Sequence, residues 1–435
     1  MTAYFQKISL LKVLKLKVKS QHFISCIFFC LLVLPLTANL FSNTIHAYPL
    51  ISSPDYGVSN YEITQSVKYQ VEINFSLTHK SGMGSYMFKF ARLNDRMPNS
   101  TLTKYTPPYQ ESKLLYNKIT GCKPSNIITG HIDKFNNTYD SFNTSIVSIG
   151  AVLLKPEVSL SQKYIVDLNA ITFQGIDESD IIPYEVSDEI FELYCNYGEP
   201  YYEQDDPNLI SLSNSIVGPD DNPIEKAEKI YDWISDNLDY NGNLPSQEKG
   251  ALWAYNNLEG DCSEYSSLMI TLLRIQGIPA RKVTGFLLSN NPSLRPMVGD
   301  TWNFHASETS SNILGHAWVE YYVPNIGWIA CDPRWNRQSN YFNRIDFLRF
   351  NLNVGANFFF PPSSTVSEFS NPLFSYTLGA EYEYNYSVQI SVIESNLAPL
   401  NSVPLLIFII LTFGVVCIII IVIVIRKKRR NKLFY

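Results

Sequence analysis

The chain has 435 residues, 46% of them hydrophobic and 17% charged, with 34 Lys and Arg against 40 Asp and Glu for a formal net charge of −6. Setting aside the five lysines before residue 48 and the six basic residues after 425 leaves 23 basic residues against all 40 acidic ones. A stretch that acidic is a poor nucleic-acid binder, because neutralising phosphates needs Lys and Arg, and its length of about 355 residues exceeds one ordinary core and implies two or three domains.

In chain order, Lys7, Lys12, Lys15, Lys17 and Lys19 precede an apolar run from Phe23 to Phe41, so residues 1–47 read as a signal peptide or, if uncleaved, a signal anchor. Residues 48–195 form a β-rich region in which "VKYQVEINFSL", "SIVSIGAVLL" and "KYIVDLNAITF" alternate as half-buried strands do; a β-sandwich-like domain is expected there. After Cys195 the texture becomes helical. Asp206 caps a helix opened by Pro207, and Asn222, Pro223 and Glu225 begin a second one. Its stripe of Ala227, Ile230, Tyr231, Ile234 and Leu238 reads as core. A short helix at "GALWAYNNL" leads to "EGDCSEYSSLM", where Cys262 starts a helix that ends at Gly277. "ARKVTGFLL" is then a strand, Ser289 to about Asn312 a polar loop, and "HAWVEYYV", "PNIG" and "WIACDP" a hairpin.

Residues 196–345 thus read as a separate helix-and-hairpin domain and 346–402 as a β-rich extension containing "NFFF", "PLFSYTL" and "EYEYNYSVQISVI". The uncharged stretch Val403–Ile425 is long enough to span the ~30 Å hydrocarbon core as a helix. The basic tail 426–435 follows it, which places the C-terminus in the cytoplasm and 48–402 outside the cell. Sequons at Asn74, Asn99, Asn136, Asn143 and Asn385 all fall in that exterior portion, and a disulfide there would most naturally join Cys122 to Cys195.

Four readings open for Cys262: a buried thiol, half of a disulfide, a metal ligand or a nucleophile. A helix N-terminus favours a thiolate through its dipole and free amides, and the Cys262 amide is suited to an oxyanion hole. A base is still required, with a group to orient it. His316 begins one hairpin strand and Asp332 ends the other, and alternation puts His316, Trp318 and Glu320 on a common face with Asp332, Ala330 and Trp328. Cys331 points the other way as a structural thiol. No C-x-x-C or H-x-x-H pair pre-organises zinc and no EF-hand loop is present, so neither a metal nor a cofactor is expected. Tyr240 and Trp253 are alternatives for a side-chain oxyanion donor or for packing.

These residues carry a resemblance. "GDCSEYSSLMITLLRIQGIPARKVTGF" followed by "GHAWVEYYVPNIGWIACDPRWN", with "AEKIYDWISDNLDY" ahead of them, resembles the core of the transglutaminase-like superfamily over roughly residues 205 to 337. The resemblance implies an α+β fold, a papain-like core in which the cysteine-bearing helix packs on an antiparallel sheet. It implies Cys262 as nucleophile, His316 as general base and acid, and Asp332 as the group holding the imidazole. It further implies a protein or peptide substrate, a thioester, and transfer of the acyl group to water or to an amine. Arg334 departs from the pattern, since many relatives carry a small hydroxyl residue there, and the loop before His316 is long and holds Arg295, Trp302 and His305. The alternative is a catalytically silent core that serves cell-surface adhesion or binding.

Overall fold

A computed structural model describes residues 60–82, 105–121, 157–196, 198–244, 248–307, 309–335, 340–354 and 381–397, the strands at 85–91, 127–131, 145–152, 358–360, 364–366 and 373–376, and the single positions Leu93 and Ile423. The leader 1–47, the basic tail, the apolar stretch 403–425 apart from Ile423, Cys122, and the sequons at Asn99, Asn136 and Asn143 lie outside them. Among the described residues no helix is long and apolar enough to cross a membrane. The chain divides into two compact units, Met1–Asp55 and Tyr56–Tyr435, and every described residue belongs to the second.

The principal elements in chain order are β1 (Tyr61–Ser81), β2 (Gln110–Thr120), β3 (Glu157–Phe173), α1 (Pro207–Ile216), α2 (Pro223–Asn237), α3 (Ala251–Asn257), α4 (Cys262–Ile275), β4 (Ala280–Leu287), β5 (Thr301–Ser307), β6 (Gly315–Val323), β7 (Gly327–Cys331), β8 (Arg349–Val354) and β9 (Glu381–Ser395). They build a mixed α/β structure whose principal sheets are antiparallel.

In β1, Val67, Tyr69, Val71, Ile73, Phe75 and Leu77 are buried, while the residues between them are partly or fully exposed. That period of two commits one face of a pleated strand to the core. β3 and β9 flank β1 and repeat the pattern, with Val71 opposite Tyr164 and Ile73 opposite Val388. The sheet runs β5–β9–β1–β3 and ends on the two-residue strand Arg344–Ile345; β2 also pairs with β3. It therefore draws strands from the N-terminal region, from the middle of the chain and from the C-terminal extension. A second sheet does likewise, pairing Ser85–Ala91 with Leu373–Tyr376. The segment expected as a polar loop contains β5, whose Phe304 and Ala306 are buried and whose Thr301, Asn303 and His305 are exposed. Its alternation is short and mostly polar, so the strand is defined by pairing with β9 rather than by local pattern.

The helices follow their sequence signals. Asp206 accepts from the amides of Asn208 and Leu209, and Asn222 and Glu225 form a reciprocal capping box at α2. α4 is enclosed on nearly every side: Leu268, Met269, Ile270, Leu272 and Leu273 have no exposed surface. It joins the core shared by α1, α2 and strands β4, β6 and β7 of the sheet β7–β6–β4–β8. In that sheet Gly285 lies between His316 of β6 and Asn351 of β8. A Cβ on Gly285 would sit 1.8 Å from the Phe350 carbonyl oxygen, so only glycine lets β8 approach this closely.

Candidate active site

α4 begins with a second capping box. The Asp261 carboxylate accepts from the Ser263 amide at 2.7 Å, and Glu264 accepts from the Asp261 amide at 3.0 Å. Gly260 must be glycine here, because a Cβ would lie 2.5 Å from that of Glu264. The box fixes Cys262 as the first helical residue, where its own amide has no intrahelical acceptor. Residue 262 keeps part of its surface exposed, whereas Cys195 and Cys331 are buried.

β6 supplies the neighbouring groups. Its Ala317 amide favours the Cys262 thiolate, and α4 packs against this strand. β7 returns in the register Val319 opposite Cys331, and Asp332 is the residue that follows it. His316 Nε2 lies 2.6 Å from Asp332 Oδ2, with the imidazole and the carboxylate both buried. The structure thus pairs His316 with Asp332, and the helix headed by Cys262 packs against β6, the strand that carries His316. Cys331 contacts Met269 with its sulfur 3.8 Å away, on the α4 side. Cys195 is a free thiol directed at the Arg274 carbonyl at 3.6 Å.

Arg349 escaped the sequence reading. From the start of β8 its Nη2 and Nε donate to Asp332 Oδ2 at 2.8 and 3.2 Å, and its Nη1 lies 2.5 Å from Asp346. The guanidinium is buried, and Tyr341 hydrogen-bonds the same Asp346. The signal available in advance was an Asp-x-x-Arg spacing of two charges at the head of an apolar strand, which local pattern alone cannot connect to Asp332. The loop residues fall elsewhere: Trp302 packs on the long-sheet core, His305 is exposed on β5, and Arg295 donates to Gln65 of β1.

Burial would raise the Asp332 carboxyl, but His316 and Arg349 outweigh it and hold it below the ordinary carboxylate value. His316 is shifted down, because burial together with Arg349 and Arg334 disfavours the imidazolium more than Asp332 supports it. The Cys262 thiol is pushed up to about 12 by burial and by Asp261, against the smaller opposing effects of the Ala317 amide and Lys282. Asp261 is itself pushed up to about 7 by burial and by Glu264. The helix N-terminus was expected to favour a thiolate. Desolvation beside a carboxyl opposes that and favours the neutral thiol, as burial at His316 favours the neutral imidazole. Such a pair forms a nucleophile by handing the proton over during attack. With Nε2 committed to Asp332, Nδ1 is the imidazole nitrogen left to receive it.

Tyr240 is held next to the cysteine turn by a two-residue parallel ladder, Asp239–Tyr240 against Glu259–Gly260. Among the described residues no cluster of three His, Cys, Asp or Glu side chains is placed to hold a metal ion.

Residues 210–333 match the family model of the transglutaminase-like superfamily. Over 124 residues the chain is 26% identical to an uncharacterised protein of Haemophilus influenzae, covering 27% of this chain and 34% of that one. Over 79 residues it is 35% identical to a protein-glutamine gamma-glutamyltransferase of Pseudomonas aeruginosa, covering 18% of this chain and 10% of that one. A crystal structure of a candidate cysteine protease from Cytophaga hutchinsonii aligns over 78% of this chain and 95% of that one, with a TM-score of 0.49 and 18% identity. The chain spans about a third or less of the length of the curated relatives it matches.

Proposed function

With residues 210–333 a transglutaminase-like core, we propose that the chain is a thiol enzyme whose nucleophile is Cys262, whose general base and acid is His316, and whose imidazole is held by Asp332. The observation that carries this is the 2.6 Å contact between His316 and Asp332, with His316 on the strand against which the Cys262-bearing helix packs. The substrate is a protein or peptide amide. As the sulfur bonds to the carbonyl carbon, the thiol proton passes to His316, and the Cys262 amide is the donor available to the developing oxyanion. The imidazolium then protonates the departing amine and leaves a Cys262 thioester. Water or a second amine, deprotonated by His316, attacks that thioester, releases the acyl group and restores the thiol.

Hydrolysis makes the enzyme a cysteine protease or amidase, and aminolysis a protein-glutamine transamidase; the balance depends on how far the cleft excludes water. The transferase name of the Pseudomonas relative supports the second. We also propose that the catalytic portion lies outside the cell, anchored by residues 403–425, with 426–435 in the cytoplasm. The uncharged stretch followed at once by six basic residues supports this, as do the exposed sequon positions Asn74 and Asn385 on the long sheet.

The test is labelling of the full chain with a thiol-directed electrophile, alongside Cys262→Ser and His316→Ala. Expected is labelling at Cys262 that depends on His316; labelling no faster than an ordinary thiol and indifferent to His316 overturns the enzyme and leaves a silent binding core. A glutamine-containing acceptor protein with a labelled amine then separates transfer from hydrolysis.

A further inference from the structure

Arg334 occupies a position unlike that of the other core arginines. Arg274 is paired with Glu199 at 2.6 Å, Arg281 with Glu320 at 2.8 Å, and Arg349 with Asp332 and Asp346, all in buried surroundings. Arg334 is only half-buried, and no carboxylate among the described residues lies within 4.0 Å of it. The sequence that follows it, Asn336 to Ser339, contains no acidic residue. Its guanidinium is instead held by aromatic faces, 4.3 Å from the Tyr240 ring centre and 4.4 Å from that of Trp335.

Those two supports fix it at the reactive centre. Trp335 follows the Asp332-Pro333 turn, with its amide bonded to the Asp332 carbonyl at 3.2 Å. Tyr240 is tied to Gly260, two residues before Cys262, by the parallel ladder. Arg334 acts electrostatically on both His316 and Tyr240, and Tyr240 in turn on Cys262. Neither nearby carboxylate forms an ion pair with it: Asp261 accepts from the Ser263 amide, and Asp239 is exposed at the ladder. Tyr240 engages one side of the guanidinium; the remaining in-plane N–H donors form a fork that matches a carboxylate.

We propose that Arg334 is a specificity-determining residue, a carboxylate-binding subsite beside Cys262 that selects peptide substrates bearing an acidic group next to the amide attacked. This rests on the thiol-enzyme reading above, and the test keeps the two apart.

The test compares alkylation of Cys262 in the full chain by iodoacetate and by iodoacetamide, which differ in a carboxylate against a neutral amide. In both reactions the sulfur displaces iodide while the thiol proton passes to His316. Any change in thiol reactivity cancels in the ratio of the two rates. Expected is a fall of about tenfold in the iodoacetate-to-iodoacetamide ratio for Arg334→Gln, the size of one partly solvated charge interaction. Arg334→Lys should recover most of the ratio, and added salt should shrink it in the wild type and in Arg334→Lys but not in Arg334→Gln. Peptidyl vinyl sulfones carrying the carboxylate either as a Glu side chain or as a terminal carboxylate then tell which source the subsite takes. An unchanged ratio in Arg334→Gln, with both reagents still reacting in a His316-dependent way, overturns the subsite and leaves the enzyme standing. Failure of both reagents to react faster than with an ordinary thiol overturns the enzyme and the subsite together.

Discussion

In the long sheet the ion pairs lie at the surface: Lys68 meets Glu394 at 2.9 Å with side chains 30% and 69% exposed, and Lys163 meets Glu72 at 3.1 Å with both 36% exposed. In the helix-and-hairpin core, Arg274–Glu199, Arg281–Glu320, Lys282–Glu248 and Arg349–Asp332 are at most 3% exposed. A surface pair contributes about 0–1 kcal/mol. A buried pair gains little net stability over an apolar replacement of the same shape, yet removing one partner costs about 3–5 kcal/mol because the other charge is stranded. The sheet therefore holds together by burying alternate apolar side chains, whereas the core uses charge to fix geometry. Asp332 illustrates the second use, since one oxygen receives both His316 and Arg349.

The largest test of this contrast is loss of the reacting groups. Cys262→Ser and His316→Ala should abolish turnover, and Asp332→Asn should lower it by about 10³–10⁴-fold while circular dichroism shows the long sheet intact. Next is Arg349→Met, expected to lower unfolding free energy in urea by about 3–5 kcal/mol, against about 0–1 kcal/mol for Lys68→Met. Equal losses would erase the distinction between the regions.

Arg349→Met also has a pH signature. Arg349 disfavours the His316 imidazolium, so its removal should move the acid limb of kcat/KM to higher pH. In the wild type that limb should lie below about 6.5, the ordinary histidine value. Because the folded-state value of His316 is depressed, the unfolded chain takes up this proton first. The stability linked to His316 is present above the ordinary value and is lost as pH falls through the interval beneath it.

A smaller effect is expected from Gly285→Ala, which forces β8 away from β4. About 1–3 kcal/mol should be lost, and activity should fall further than stability because Arg349 begins the displaced strand. Activity tracking stability alone would separate β8 from the positioning of Asp332. The smallest is Asp206→Ala, which removes the α1 cap and should cost about 1 kcal/mol with kcat unchanged, since the cap touches none of the reacting groups.

The parts of the molecule that were legible in advance are those whose signals are local. Asp206-Pro207 and the Asn222–Glu225 box mark helix starts through groups within three residues of each other. The His316 and Asp332 faces follow from counting alternate residues across one tight hairpin. β5 was missed because three exposed polar positions dilute its alternation, and its partner β9 lies about 80 residues further along the chain. Arg349 was missed because its attachment to Asp332 passes through β8 lying on β4, which a glycine permits.

By itself the sequence determined which residue types stand at the cysteine turn and the hairpin ends, and so that Cys262, His316 and Asp332 could meet. Only the tertiary structure set the balance of burial and neighbouring charge that acts on them. A helix N-terminus favours a thiolate, but burial beside Asp261 pushes the Cys262 thiol up to about 12. Whether dipole or desolvation prevails depends on how much water and how many carboxylates surround one sulfur atom. Only packing between distant segments sets that.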